Sequence, residues 1–197
     1  MQLSYWEIKN WFSNVDFTIV GSGIVGLHTG LALRERFPSA KILILEKGVL
    51  PQGASTKNAG FACFGSISEI IDDLKTHTEE EVIQLIQKRY AGLQLLRKNL
   101  GDSVIDLKPY GGYELFLKED ELFYNECIQK IPFINDIFKP LFKTDVFSKE
   151  VDRFNFGGIF ENLIFNPFEA QIDTGNMMQA LLKKAHQNDI LILNSQT

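Results

Sequence analysis

Residues 16–46 read DFTIVGSGIVGLHTGLALRERFPSAKILILE, and this stretch decides the fold. Residues 16–20 (DFTIV) form a short β-prone apolar run. Three glycines follow at once, Gly21, Gly23 and Gly26, in the order G-S-G-I-V-G. Residues 24–36 carry apolar side chains on one helical face, and Pro38 stops that helix. Residues 41–45 (KILIL) are a second strand, apolar throughout, which implies cover on both faces. Strand, helix and strand within about 30 residues make a parallel βαβ unit with a right-handed crossover.

Each glycine has its own task in such a turn. Gly21 permits the tight exit from the strand. Gly23 lets the backbone approach a pyrophosphate, and Gly26 lets the helix pack closely on the strands. The helix opens with Ile24 and Val25, whose end presents free N–H groups and a partial positive charge to an anion. Glu46, followed by Lys47, ends the second strand. A carboxylate there can accept two hydrogen bonds from ribose hydroxyls, and it disfavours a 2′-phosphate. The glycine spacing alone is weak, since glycines occur in many loops. The weight lies in strand, turn, helix, strand and acid arriving in order. The competing reading is a packing turn in an unrelated α/β fold, with Glu46 an ordinary surface acid.

After the acid comes GASTKNAGF at 53–61. Its hydroxyl, amide and backbone groups suit phosphate and ribityl oxygens, and its small residues let a flat ring lie close. The run from Val15 to Ser66 resembles the FAD-dependent oxidoreductases of the D-amino-acid oxidase superfamily, which include glycine oxidase, sarcosine oxidase and the glycerol-3-phosphate dehydrogenases. Their S-x-x-N-A-G loop corresponds to Ser55, Thr56, Lys57, Asn58, Ala59 and Gly60. The segment QIDTGNMMQALL at 171–182 loosely matches a family stretch at Ile172, Asp173, Thr174 and Met178, with Thr174 where proline is usual. The opening SYWE at 4–7 is similar to family members that begin in that way.

The resemblance implies FAD as cofactor and an α/β fold: a Rossmann-like parallel sheet with helices on both faces and an inserted α+β substrate domain. It places the FAD domain at 1–107 and 173–197 and part of the substrate domain at 108–172. It implies oxidation of the C–N bond of an amine or amino acid by hydride transfer to flavin N5. The alternatives are C–O oxidation, as in the glycerol-3-phosphate dehydrogenases, a non-catalytic FAD-binding module, or an NAD-binding domain, which the S-T-K-N-A-G loop disfavours. Family members are about twice as long, and this chain is expected to be an N-terminal portion. Catalytic residues cannot be assigned on that basis. Cys63 is better placed than His28 for covalent flavin attachment, though a small buried thiol is the common case.

Along the rest of the chain, helices are expected at 3–12, 68–76, 79–100, 119–131 and 174–187. Strands are expected at 111–118, 159–165 and 190–193, with 132–158 unassigned. Val82, Ile86, Leu93 and Leu96 form one helical stripe; Met177, Met178, Leu181, Leu182 and Ala185 form another. Tyr110, Tyr113 and Phe116 read as core aromatics before they read as substrate contacts.

The net charge of −5 argues against a nucleic-acid partner. The two cysteines, Cys63 and Cys127, have no metal spacing and form no disulfide framework. That usage, with no secretory signal, points to a cytoplasmic setting. No run approaches the roughly 20 apolar residues of a membrane span.

Overall fold

The computed structural model describes residues 3–196. The chain divides into two compact units, Met1–Gly60 with Asp173–Thr197, and Phe61–Ile172. The helices at 67–100 pack with the aromatic core of the second unit.

In the first unit, helix α1 (Tyr5–Glu7) runs into a π-helical turn at Ile8–Phe12. Strand β1 (Phe17–Val20), helix α2 (Ile24–Arg36) and strand β2 (Ile42–Leu45) form the βαβ unit. Helix α6 (Thr174–Gln187) and strand β8 (Leu191–Leu193) close it. The sheet order is β1-β2-β8, all parallel, with Ile19 opposite Ile44 and Ile44 opposite Ile192. Alternation along a strand puts these three on one face. Helices α2 and α6 pack together, and Gly30 of α2 approaches Ile44, Ile19 and Ile190. Leu191 and Leu193 lie on the opposite face and border a recess with Trp11 and Phe12. Helices α2 and α6 cover one face of this mixed α/β architecture, whereas Thr18 and Val20 of β1 are exposed on the other.

Arg34, unremarkable in the sequence, binds the two distant segments of this unit. Its guanidinium donates to the carbonyls of Pro38, Ala40, Asn188 and Asp189 at 2.7–3.0 Å. Five N–H donors in a rigid fork suit a residue that must satisfy several carbonyls at once.

The second unit opens with strand β3 (Phe61–Ala62), followed by helices α3 (Ile67–Thr76) and α4 (Glu79–Leu100). Ser66 with Glu69, and Thr78 with Glu81, form capping boxes that fix both helix starts. Strand β4 (Gly112–Glu114) precedes helix α5 (Glu121–Phe142), which leads to β5 (Ser148–Val151), β6 (Asn162–Asn166) and β7 (Ala170–Gln171). An antiparallel sheet has the order β4-β6-β5, and β3 pairs with β7.

The expected strand at 111–118 is confined to Gly112–Glu114. The expected helix at 119–131 runs on to Phe142, through Pro132 and Pro140. Each proline deprives the helix of one hydrogen bond. Ile134, Phe138 and Phe142 are buried on the far side of Pro132, and a fully buried side chain of this size contributes about 1.5–3 kcal/mol. Buried Asn135 adds a polar tie: its amide accepts from the Val146 and Phe147 N–H groups and donates to the Phe147 carbonyl. Tertiary burial overrides the local signal to stop.

Candidate functional site

The glycine turn has the geometry that its sequence demands. Gly21 sits at φ +94°, a conformation that side chains rarely adopt. A Cβ on Gly26 would lie 1.9 Å from the Gly21 carbonyl oxygen. The first turn of α2 therefore stacks directly on the end of β1. Gly23 is the N-cap of α2 and supplies no side-chain cap, so the first-turn N–H groups need another acceptor.

One such acceptor is already in place. The Ser55 hydroxyl oxygen accepts the Ile24 N–H at 2.9 Å. A Cβ on Gly23 would come within 3.1 Å of that hydroxyl. The loop 53–60 thus reaches the end of α2. Its own shape depends on Asn58, whose amide donates to the carbonyls of Ala54 and Ser55 and accepts the Gly60 N–H at 3.0 Å. The Thr56 hydroxyl donates to the Pro51 and Gly53 carbonyls. Lys57 and Ala59 are exposed and Gly60 is buried. Ser55 is brought to the turn, whereas Asn58 and Thr56 spend their polar atoms on the loop.

Glu46 is 9 % exposed. Its Oε2 accepts the Ser22 N–H at 2.8 Å and the Ser22 hydroxyl at 2.7 Å, and its Oε1 accepts the Gly48 N–H at 2.9 Å. Burial by itself would raise this carboxyl. The backbone N–H groups of Ser22, Gly48 and Lys47 and the Ser22 hydroxyl outweigh it and hold the group below the usual carboxylate range. Ser22 was not singled out in the sequence; a hydroxyl between two glycines was its only signal. A carboxylate offers about four lone-pair positions, and Ser22 and Gly48 occupy three of them with the Lys47 N–H close by. A ribose hydroxyl gains a place when the Ser22 hydroxyl turns away. Lys47 is exposed beside it.

Other expected features are peripheral. His28 bonds through Nδ1 to the Ile24 carbonyl at 2.9 Å. His77 and His186 are exposed. Among the described residues, no cluster of His, Cys, Asp and Glu could hold a metal ion, and no helix is long and apolar enough to cross a membrane.

The second unit contains a recess of 440 Å³. Register places Gly112, Glu114, Ile164 and Asn166 on one face of its sheet, and all four line the recess. Tyr110 and Tyr113 also line it, whereas Phe116 lies in the core. The Tyr113 hydroxyl bonds to Glu150 and Arg153. Cys63, also at the recess, is a free thiol and is exposed, not the buried thiol that is the common case; partial desolvation and the nearby Glu169 and Glu69 raise it, which favours the protonated, weakly nucleophilic state.

Three carboxyls border this recess, none of them distinguished by the sequence: Glu69, Glu114 and Glu169. Glu114 accepts hydrogen bonds from the Ser68 N–H and hydroxyl. Burial nevertheless raises it. Glu169 is pushed up to about 7, chiefly by burial and then by the charge of Glu114. It lies over Gly112, where a Cβ would come 1.8 Å from its Oε2. A carboxylate seated on a distant glycine leaves no mark in local sequence.

With this geometry in place, comparison with known proteins is informative. Residues 16–197 match the DAO family, FAD dependent oxidoreductase, and the chain belongs to that family. FAD is the cofactor of this family, and the glycine turn, helix end and preoriented Glu46 fit its ADP portion. Similar solved structures include L-amino acid deaminase from Proteus myxofaciens in complex with anthranilate. The identity is 18 % and the TM-score 0.66, covering 93 % of this chain and 38 % of that one. Glycine oxidase from Geobacillus kaustophilus gives 18 % and 0.61, covering 91 % and 46 %. Dithionite-reduced L-alpha-glycerophosphate oxidase from Mycoplasma pneumoniae with FAD bound gives 18 % and 0.60, covering 91 % and 44 %. These identities support the fold. The chain spans less than half the length of these three structures. A sequence search of curated proteins gave no match.

Proposed function

We propose that this chain is the FAD-binding part of an oxidoreductase that oxidises the C–N bond of an amine or amino acid. The observation that carries the reading is the Gly21–Gly26 turn, with Glu46 held ionised beside it by Ser22, in a chain of the FAD-dependent family. Bound FAD supplies the hydride acceptor. The residues of this chain bind and orient it. Gly21, Gly23 and Gly26, with the N–H groups of Ile24 and Val25, take the pyrophosphate, and Glu46 takes the ribose. The loop Ser55–Gly60 takes the flavin side, with Ser55 exchanging its bond to Ile24 for one to the cofactor. Lys47 and Lys57, both exposed, add positive charge near the phosphates. The unit Phe61–Ile172 contributes to substrate binding. The C–N assignment is supported by likeness to a deaminase and a glycine oxidase, although the glycerophosphate oxidase is similar to a comparable degree.

The test is the visible spectrum of the purified protein, followed by anaerobic addition of amines, amino acids or glycerol phosphate. Flavin bands bleached by amines or amino acids support the proposal. Bleaching by glycerol phosphate alone transfers the reaction to a C–O bond. A protein that takes up no FAD overturns the reading.

A further inference from the structure

Ser22 lies between Gly21 and Gly23 with no exposed surface. Both of its donors reach one oxygen: the N–H and the hydroxyl share Glu46 Oε2, at 2.8 and 2.7 Å. The Gly48 N–H takes Oε1 at 2.9 Å. These donors differ in freedom. The backbone around the two N–H groups is tied down on both sides. The Gly21 N–H donates to the Leu45 carbonyl at 2.7 Å, the Glu46 N–H to the Leu193 carbonyl at 2.8 Å, and the Ser195 N–H to the Gly48 carbonyl at 2.9 Å. Neither N–H can leave Glu46 without straining these bonds. The Ser22 hydroxyl is a single rotor that can both donate and accept. Of the three donors, it alone can give up its place on the carboxylate without moving the chain.

We infer that Ser22 is a positioning and specificity residue for the adenosine ribose: its hydroxyl aims Glu46, then yields its acceptor position on Oε2 to a ribose hydroxyl as the nucleotide binds. The inference rests on the placement of FAD at this turn, proposed above, and is independent of which substrate bond is oxidised. A buried hydroxyl must keep a partner when it turns, and the arriving ribose oxygen can accept the hydrogen bond that the carboxylate releases. This exchange has a consequence for selectivity. The ribose hydroxyl gains its bond to Oε2 only as the bond from Ser22 is lost. Two charge-assisted hydrogen bonds of the same kind then nearly cancel. A nucleotide lacking that ribose hydroxyl therefore loses little affinity, because Ser22 keeps the position filled. Without the Ser22 hydroxyl the position stands open, and the ribose hydroxyl counts in full.

The experiment is competition on the FAD-loaded protein. ADP, 2′-deoxy-ADP and 3′-deoxy-ADP are titrated to displace FAD, and released flavin is measured after filtration. In the unaltered protein both deoxy nucleotides are expected to bind within about threefold of ADP. In Ser22→Ala the weaker of the two is expected to fall roughly tenfold behind ADP. The variant should also shed FAD at a higher pH on acidification, because Glu46 loses one of the donors that hold it ionised. A role in shape alone would lower all three affinities together and leave that acid limb in place. A larger gap between ADP and a deoxy nucleotide in the unaltered protein overturns the inference, and that reading needs no variant. A gap in Ser22→Ala no wider than in the unaltered protein overturns it too; Ser22→Gly, which removes the same hydroxyl, serves if the alanine variant does not fold. Displacement of FAD by ADP with an unchanged ratio defeats this inference alone. ADP that fails to displace FAD from the unaltered protein defeats the ribose placement of Glu46, and this inference with it.

Discussion

The carboxylate of Glu46 accepts both the N–H and the hydroxyl of Ser22, at 2.8 and 2.7 Å, so the acid at the end of β2 is locked to the glycine turn at the end of β1. The two strand ends are joined by a charged group before any nucleotide binds. Preorganisation of this kind reduces the ordering cost of binding.

Replacing Glu46 should therefore have two effects. Glu46→Gln keeps the shape but loses charge-assisted hydrogen bonds worth about 1.5–3 kcal/mol each. Lower FAD content in the purified variant, with reduced stability at neutral pH, is the expected result; unchanged flavin content removes the ribose role.

The same group sets an acid limb. Its folded pKa lies below its ordinary value, so its stabilisation is present above the unfolded carboxyl range and is lost as pH falls through the folded value. Urea unfolding of the protein and of Glu46→Gln across the acid range should show their stability difference shrinking as pH falls.

Glu169 has the opposite sign. Its folded value is raised to about 7, so its contribution is fully present below the unfolded carboxyl range and is lost as pH rises through about 7. Glu169→Gln should flatten this limb and gain stability relative to the unaltered protein at mildly alkaline pH. Parallel curves for the two proteins refute the assignment.

Gly26→Ala should be damaging, because its Cβ would lie 1.9 Å from a backbone oxygen. Overpacking costs about 1–3 kcal/mol, and FAD content should fall with it. Gly53→Ala, with nothing within 4 Å of the added carbon, is the control and should leave stability near that of the unaltered protein.

Arg34→Met should lower stability by about 2 kcal/mol or more, since it leaves four carbonyls without their guanidinium donor. Denaturant unfolding measures this directly. A change within error would mean that water replaces the guanidinium without loss.

Local sequence was sufficient for whatever depends on nearest neighbours. The strand–turn–helix–strand of residues 16–46 was legible because three glycines and two apolar runs each constrain their own backbone, and the structure places β1, α2 and β2 there. Helices α4 and α6 were legible from stripes of one period, and Val82, Ile86, Met177 and Leu181 are buried as those stripes require. Tertiary contact decided the rest. Helix α5 passes two prolines because the phenylalanines and isoleucines beyond them are buried in an aromatic core. Ser22 and Arg34 acquire their roles only when distant segments meet. Glu169 becomes a high-pKa acid only because the fold lays it over Gly112 and beside Glu114. A backbone preference is written in a few adjacent residues, whereas burial, charge proximity and hydrogen-bond partnership are properties of space, and the chain defines that space only once it has folded.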